Sequence, residues 1–147
     1  MQFEGTVKIN VAREKVWEFL IDPHAVSQCV PGVNDLEILV PESKFRARVA
    51  LGLGSVNVNF AMDVEFLDLD EPNRAKLKAH GKAPGSAADV VSEMTLIESP
   101  DGYTELQWST EAYIMGTIAS LAARFAPSIT KKLSEEFFDC VKQKLET

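Results

Sequence analysis

The residues with the widest chemical range in this chain are two histidines and two cysteines, and their spacing gives no catalytic constellation. His24 follows Pro23 at the start of a short predicted helix, and His80 shares a predicted strand face with Lys76 and Lys78. We therefore expect both imidazoles at the surface rather than as general bases facing an interior. The sequence has no Gly-x-Ser-x-Gly segment, and its His, Cys and carboxylate residues are too scattered to predict a metal site. The sequence thus predicts no catalytic residue, no metal and no cofactor.

The two cysteines, Cys29 and Cys140, lie far apart in the sequence and lack the spacing of a metal or redox pair. The first five residues have neither the basic start nor the apolar run of a secretory signal peptide. Cysteines in proteins that are not exported usually stay reduced. We therefore expect a cytoplasmic chain with two free thiols.

The composition restricts the class of protein and of partner. The chain has 147 residues, of which 46% are hydrophobic and 25% charged, as expected for one globular domain spanning residues 1–147. The formal net charge is −7, and Lys and Arg do not cluster, which argues against nucleic acid as a partner. No apolar run approaches the roughly 20 residues of a membrane span. We expect at most peripheral contact with a membrane.

The hydrophobic pattern predicts an order of elements. The residues from Phe3 to Val11 alternate in polarity and predict a strand, and Val16, Trp17 and Leu20 follow at helical spacing. Asp22-Pro23 predicts the start of a second short helix, because an aspartate N-cap before proline favours helix initiation. Six predicted strands follow, at residues 35–40, 44–53, 55–69, 74–81, 88–98 and 103–114. From residue 116 to 146 the apolar spacing changes to 3.6 and predicts one long helix.

A broad antiparallel sheet with one helix to cover it predicts a cavity. The sheet must bury one face, and curving around a single helix seldom fills the enclosed space. We expect the cavity wall to be formed by Phe45, Val49, Val58, Phe60, Met62, Trp108, Thr110, Leu121 and Phe125. Polar specificity would come from Thr110, Ser92 or Gln28.

Two proline segments have two interpretations each. Cys29, Pro31 and Gly32 are predicted to form a gate loop at the cavity mouth, although the same residues could simply end the second helix. Pro127 lies inside the long helix, where it either bends the helix to follow the sheet or marks residues 116–126 as a mobile lid.

Three local motifs resemble the opening of the carbon monoxide dehydrogenase G-subunit family. They are Val16-Trp17-Glu18-Phe19-Leu20, Asp22-Pro23 and Cys29-Val30-Pro31-Gly32. The family belongs to the START-related (SRPBCC) ligand-binding superfamily. The resemblance implies an α+β helix-grip fold, in which a seven-stranded curved antiparallel sheet wraps around a long C-terminal helix, with two short helices after the first strand. It also implies a non-catalytic accessory protein that serves a molybdenum hydroxylase of the carbon monoxide dehydrogenase type.

The function expected from these observations is the binding of a lipophilic small molecule, quinone- or lipid-like, in an apolar cavity. Two alternatives stay open. One is a cyclase- or hydrolase-like enzyme that uses the same pocket, with His24 or a buried Glu93 as the base; a raised carboxylate pKa inside the cavity would favour it. The other is a protein–protein interaction module with a filled core.

Overall fold

The computed structural model describes residues 1–146, which form one antiparallel sheet, two short helices and one long helix. In chain order the elements are β1 Gln2–Ile9, α1 Arg13–Leu20, α2 Pro23–Ser27, β2 Val33–Val40, β3 Lys44–Leu53, β4 Val56–Asp70, β5 Arg74–Ala83, β6 Ser86–Glu98, β7 Thr104–Gly116 and α3 Ala119–Leu145. This order and the helix packing confirm the predicted α+β helix-grip architecture.

The sheet places the first strand beside the last. The strand order is β1-β7-β6-β5-β4-β3-β2, and every neighbouring pair is antiparallel. From β2 to β7 each strand pairs with the next one in the chain, so these strands form by successive hairpins. Strand β1 pairs with β7 from Gln2↔Glu111 to Ile9↔Thr104. The two helices that follow β1 therefore cross from one edge of the sheet to the other, near one end of α3.

Local chemistry explains where the helices begin. The Asp22 carboxylate accepts hydrogen bonds from the backbone N–H groups of His24, at 3.0 Å, and Ala25, at 3.4 Å, which caps α2 as its sequence predicts. The long helix starts at Ala119 rather than at residue 116. Gly116, the last residue of β7, has φ +95°, and the N–H of Thr117 donates to the carbonyl of Gly85, so the chain turns at residues 117–118 before α3 begins.

Two groups of buried residues lie between the sheet and the helices. The α1-side cluster consists of Ile9, Val16, Trp17, Leu20, Cys29, Ala75, Leu96, Leu106 and Val141. The cavity-side cluster consists of Leu53, Val58, Phe60 and Ala88, with Ile118, Leu121, Phe125 and Ile129 packed against it. The α1-side cluster is closely packed, because Ile9, Val16, Leu106 and Val141 have no exposed surface.

The expectation of two free thiols is wrong. Cys29, just after α2, and Cys140, in the last third of α3, form a disulfide across a sequence separation of 111 residues. The sequence contains no spacing signal for this bond, because the pairing depends on where α3 crosses the α2 region in the folded chain. Because the two cysteines are bonded to each other, they give no argument for a reducing compartment. A cytoplasmic location stays a prediction.

Within residues 1–146, no helix combines the length and the apolar character that crossing a membrane requires.

Candidate functional site: an apolar cavity between the sheet and the long helix

A cavity of about 290 Å³ lies between the concave face of the sheet and α3. Strands β3, β4, β6 and β7 supply its wall on one side, and α3 with the turn before it supplies the other. Within the described chain, every residue that lines it has an apolar side chain. These residues are Val49, Leu51, Leu53, Phe60, Met62, Ala88, Val90, Ile114, Ile118, Ala122 and Leu133.

Small side chains on facing elements leave this volume open. Ala88 on β6 and Ala122 on α3 are both buried, at 4% and 6% exposure, yet a methyl group from each cannot span the gap between sheet and helix. On β5, Gly81 lies opposite Met62, and a Cβ there would collide with the Met62 sulfur. Because Gly81 has no side chain, the Met62 side chain can occupy this part of the cavity wall.

The predicted wall residues fall into three groups. Val49, Phe60 and Met62 line the cavity. Val58, Leu121 and Phe125 pack in or against the cavity-side cluster, where the Phe125 ring covers Gly54. Phe45, Trp108 and Thr110 lie outside the lining set; Phe45 packs on Phe66 with ring centroids 6.3 Å apart. Contact of any of these residues with a ligand stays a prediction.

The sequence reasoning missed lining residues on β3, β6, β7 and α3 and in the turn before α3. Val90 and Ile114 follow the same period-2 alternation that identified the β4 residues, so that pattern contained a usable signal. Ala88 and Ala122 were harder to find, because an alanine on an apolar face says nothing about what stands opposite it.

Trp108 and Thr110 continue the concave face of β7 beyond the cavity lining. The Trp108 ring packs 6.5 Å from the ring of Phe138 on α3, between centroids, and lies against Gly5 of β1. Thr110 Oγ1 lies 2.7 Å from Ser92 Oγ on the neighbouring strand β6. This part of the concave face therefore carries a pair of hydroxyl groups in an apolar setting.

The predicted gate loop is held from two sides. The carbonyl of Gly32 accepts a 2.8 Å hydrogen bond from the N–H of Ala50 on β3, and Cys29 is bonded to α3 through Cys140. Gly32 has φ +86°, and a Cβ at this position would collide with the Ala50 carbonyl oxygen. The substitution Gly32→Ala would thus strain the fold as well as the loop, so it cannot isolate a gating effect.

A second depression, of about 530 Å³, adjoins the cavity between β7 and the first turns of α3. It shares Ile114 with the cavity, and Ala112, Ala119 and Ala123 contribute small side chains to it. Among the described residues, β1 pairs with β7 as far as Gln2 opposite Glu111, and residues 113–116 of β7 have no strand partner on that side. This opening is a second candidate route of access beside the gate loop.

The outer, convex face carries pairs of oppositely charged side chains. Arg46 binds Asp63 at 2.6 Å, Arg74 binds Glu93 at 2.5 Å, and His80 Nδ1 lies 2.6 Å from Asp89. The hydrogen bond from Arg74 lowers the pKa of Glu93, and the one from Arg46 lowers the pKa of Asp63. The hydrogen bond to Glu111 raises the pKa of Tyr113. Ion pairs this exposed contribute little to stability.

The candidate bases named from sequence do not lie in the cavity. Glu93 faces outward with a 36% exposed side chain, and the hydrogen bond from Arg74 lowers its pKa, so it is not the buried carboxylate that the enzyme alternative names. His24 lies in the exposed first turn of α2, and His80 lies on the convex face as predicted. In the described part of the chain, no group of three or more His, Cys, Asp and Glu side chains is arranged so that it could hold a metal ion.

Comparison with solved structures shows the same fold in bacterial proteins. A conserved protein from Geobacillus kaustophilus has a TM-score of 0.90 and 24% identity, over 99% of this chain and 95% of its own. The ZhuI aromatase/cyclase from Streptomyces sp. R1128 has a TM-score of 0.76 and 15% identity, over 99% and 93%. A Thermus thermophilus protein has a TM-score of 0.71 and 12% identity, over 99% and 97%. At these identities the likeness shows the fold alone.

A search of curated proteins by sequence found no match. The sequence model of one family does match, over residues 5–146, and it describes the G subunit of carbon monoxide dehydrogenase (CoxG). That match covers nearly the whole chain and includes the three motifs near the N-terminus. The family and the fold together point to a ligand-binding accessory protein. The chain belongs to the carbon monoxide dehydrogenase G-subunit (CoxG) family.

Proposed function

We propose that this protein binds a lipophilic small molecule, quinone- or lipid-like, in the cavity between the sheet and α3. The observation that carries the proposal is the lining: each of its described residues is apolar, from Val49 on β3 to Leu133 on α3. An apolar ligand gains roughly 25 cal/mol for each Å² it removes from water. Burying about 200 Å² would thus supply on the order of 5 kcal/mol before the costs of ordering.

The size of the cavity limits the ligand. Its 290 Å³ lies just below the range that is usual for small-molecule sites, roughly 300–1,000 Å³. A ring system fits such a volume, whereas a long isoprenoid or acyl chain does not fit beside it. We propose that a chain of this kind extends into the depression that Ala119 and Ala123 line, because that depression adjoins the cavity.

The family name indicates the enzyme that we propose as the partner of this protein. CoxG is named as a subunit of carbon monoxide dehydrogenase, and we propose that this chain serves a molybdenum hydroxylase of that type as a carrier. The role we propose is non-catalytic. This is supported by the apolar lining, since general acid–base chemistry needs a titratable group within hydrogen-bonding reach of the reacting atom.

The two alternatives are less well supported. The aromatase/cyclase fold likeness concerns architecture, and the carboxylate named as a base, Glu93, faces outward. An interaction module with a filled core does not need the open volume beside Ala88 and Ala122.

The experiment is a binding titration with a defined apolar probe, 2,3-dimethylnaphthalene, followed by calorimetry and by the thermal unfolding midpoint. We expect binding in the micromolar range and a raised midpoint, because a ligand of the folded state stabilises it by mass action. Native mass spectrometry of the freshly purified protein, with organic extraction, would identify any ligand that co-purifies.

The matched variants are Ala122→Phe, which fills the cavity from α3, and Ser120→Phe, which adds the same side chain at an exposed position of the same helix. We expect Ala122→Phe to weaken probe binding at least tenfold and Ser120→Phe to leave it unchanged. Equal binding by both variants would show that the probe lies elsewhere, and no binding by the unmodified protein would refute the proposal.

A further inference from the structure

Two hydroxyl groups form a close pair on the concave face. Ser92 on β6 and Thr110 on β7 are directly opposite each other, and their side-chain oxygens lie 2.7 Å apart. Side chains on a strand alternate between faces, so Ser92 lies on the same face as Val90, which lines the cavity. The pair lies about 7 Å beyond Val90, since two residues of antiparallel strand rise roughly 3.4 Å each.

The neighbours of this pair on the concave face are apolar. The same cross-strand row continues to Leu77 on β5 and to Phe3 on β1. The rows on either side pair Val90 with Ala112 and Met94 with Trp108. Alanine in place of Ser92 and valine in place of Thr110 would pack between these rows equally well, because their side chains have nearly the same shapes. Packing alone therefore does not require the two hydroxyl groups.

The hydrogen bonds of the pair are incomplete. Two hydroxyls have two O–H donors and four acceptor lone pairs, and the bond between them uses one donor and one lone pair. Among residues 1–146, the hydrogen-bond partner that the structure gives each hydroxyl is the other one. Both side chains are partly buried, and the bond between them leaves one O–H donor for which the described residues provide no acceptor.

We propose that Ser92 and Thr110 form the polar subsite of this cavity and select a ligand with a hydrogen-bond acceptor at one end of an apolar body. The apolar body of the ligand fills the volume between Val49 and Leu133. The acceptor oxygen of the ligand, a carbonyl or an ether, accepts a hydrogen bond from the unused O–H of the pair. This inference rests on the proposed function, because it assigns the orientation of the ligand within the same cavity.

The test compares two probes with one carbon skeleton: 2,3-dimethyl-1,4-naphthoquinone, which has two carbonyl acceptors, and 2,3-dimethylnaphthalene, which has none. The variant Ser92→Ala/Thr110→Val removes both hydroxyls and keeps the side-chain shapes. Removing both partners of a hydrogen bond leaves no orphaned group, so the variant is expected to fold. We expect it to weaken quinone binding about tenfold, the effect of one lost hydrogen bond, while hydrocarbon binding stays within twofold.

The control is Thr95→Val/Ser109→Ala, the same chemical change on the same two strands. Thr95 and Ser109 face the outer surface and line a groove there with Glu4 and Gln107. We expect this control to bind both probes as the unmodified protein does. If the Ser92→Ala/Thr110→Val variant does not fold, the binding of both probes is compared between the single variants Thr110→Val and Thr110→Ser. Serine keeps the hydroxyl group and valine does not.

The outcomes separate the two proposals. If the unmodified protein binds both probes and the quinone-to-hydrocarbon ratio of Kd values does not change in the variant, the polar subsite is refuted and the apolar container stands. A ratio that also changes in the outer-face control refutes the assignment to Ser92 and Thr110. If neither probe binds the unmodified protein, the container itself fails, and the subsite fails with it.

Discussion

Gly5 and Trp108 face each other across β1 and β7, and their contact shows how one missing side chain positions another. A Cβ at Gly5 would lie 2.8 Å from Trp108 Nε1 and 2.9 Å from two carbons of the same ring. Glycine at this position lets the indole lie flat against β1. The indole then reaches Phe138, which links this edge of the sheet to α3.

We predict that Gly5→Ala lowers the free energy of unfolding by about 1–3 kcal/mol, because the added methyl group must displace a large ring in a packed setting. Chemical denaturation followed by tryptophan fluorescence measures this loss, and the emission of the folded protein should shift as Trp108 moves. The control is Gly52→Ala in β3, where the new Cβ would have an ordinary contact of 3.7 Å with Asn57 Oδ1. Equal stability of the two variants would contradict the prediction.

Among the secondary-structure elements, α3 has two differently held parts. Its C-terminal part contains Val141, which has no exposed surface, and the disulfide from Cys140 to Cys29. Lys144 also donates a 3.0 Å hydrogen bond to the Gln28 side chain. Its N-terminal part covers the cavity through Ala122, and Pro127 lacks the N–H that would continue the helical hydrogen bonds.

We predict that amides of residues 119–126 exchange with deuterium faster than those of residues 132–141. The cavity beneath the first part leaves it with fewer packed neighbours, and local opening there needs no rupture of the disulfide. Addition of 2,3-dimethylnaphthalene should slow exchange in residues 119–126 alone. Uniform exchange along α3, unchanged by the probe, would favour the other interpretation of Pro127, a bend that follows the sheet.

The disulfide joins α3 to the segment between α2 and β2, across a sequence separation of 111 residues. A cross-link over such a distance restricts the unfolded chain, and removing one commonly costs about 2–5 kcal/mol. We predict that dithiothreitol lowers the free energy of unfolding by an amount in this range, measured by urea denaturation. The variant Cys29→Ala/Cys140→Ala should begin at the lower stability and show no response to the reductant. Two titratable thiols in the untreated folded protein would contradict the bond itself.

At the scale of the whole molecule, the space between sheet and helices is closed at one end and open at the other. The α1-side cluster includes residues with no exposed surface, such as Leu106. The cavity-side cluster adjoins a volume that its own side chains do not fill, and Leu53 belongs to both the cluster and the cavity wall. One end thus supplies rigidity and the other supplies room for a ligand.

We predict that the same substitution at the two ends has different consequences. Leu106→Ala should cost about 3–5 kcal/mol of stability, because it empties a closed core, and should leave the relative affinities of different probes unchanged. Leu53→Ala should cost less and should enlarge the cavity, so that 2-methylanthracene gains affinity relative to 2,3-dimethylnaphthalene. Urea denaturation and calorimetric titration measure these effects. A gain for the larger probe in Leu106→Ala would contradict the division into two ends.

The sequence by itself determined the elements and their order, because the signals for them are local. The alternation along β4, the Asp22-Pro23 helix start and the 3.6-residue spacing of α3 each lie within a few neighbouring residues. The family motifs near the N-terminus are equally local, and so the helix-grip fold could be predicted. The faces of the strands followed as well, since a period of two assigns each residue to one face.

Only the tertiary structure decided what lies across the interior. The Cys29–Cys140 bond and the contact of Gly5 with Trp108 join residues far apart in sequence, and the register of the β6–β7 hairpin places Ser92 opposite Thr110. The cavity is decided in the same way, because its volume depends on which small residues, such as Ala88 and Ala122, face each other from different elements. The period-2 alternation of a strand predicts which face of the sheet a side chain lies on. Which residue it contacts there depends on the strand register and on the position of α3, and both are set by the packing of the whole chain.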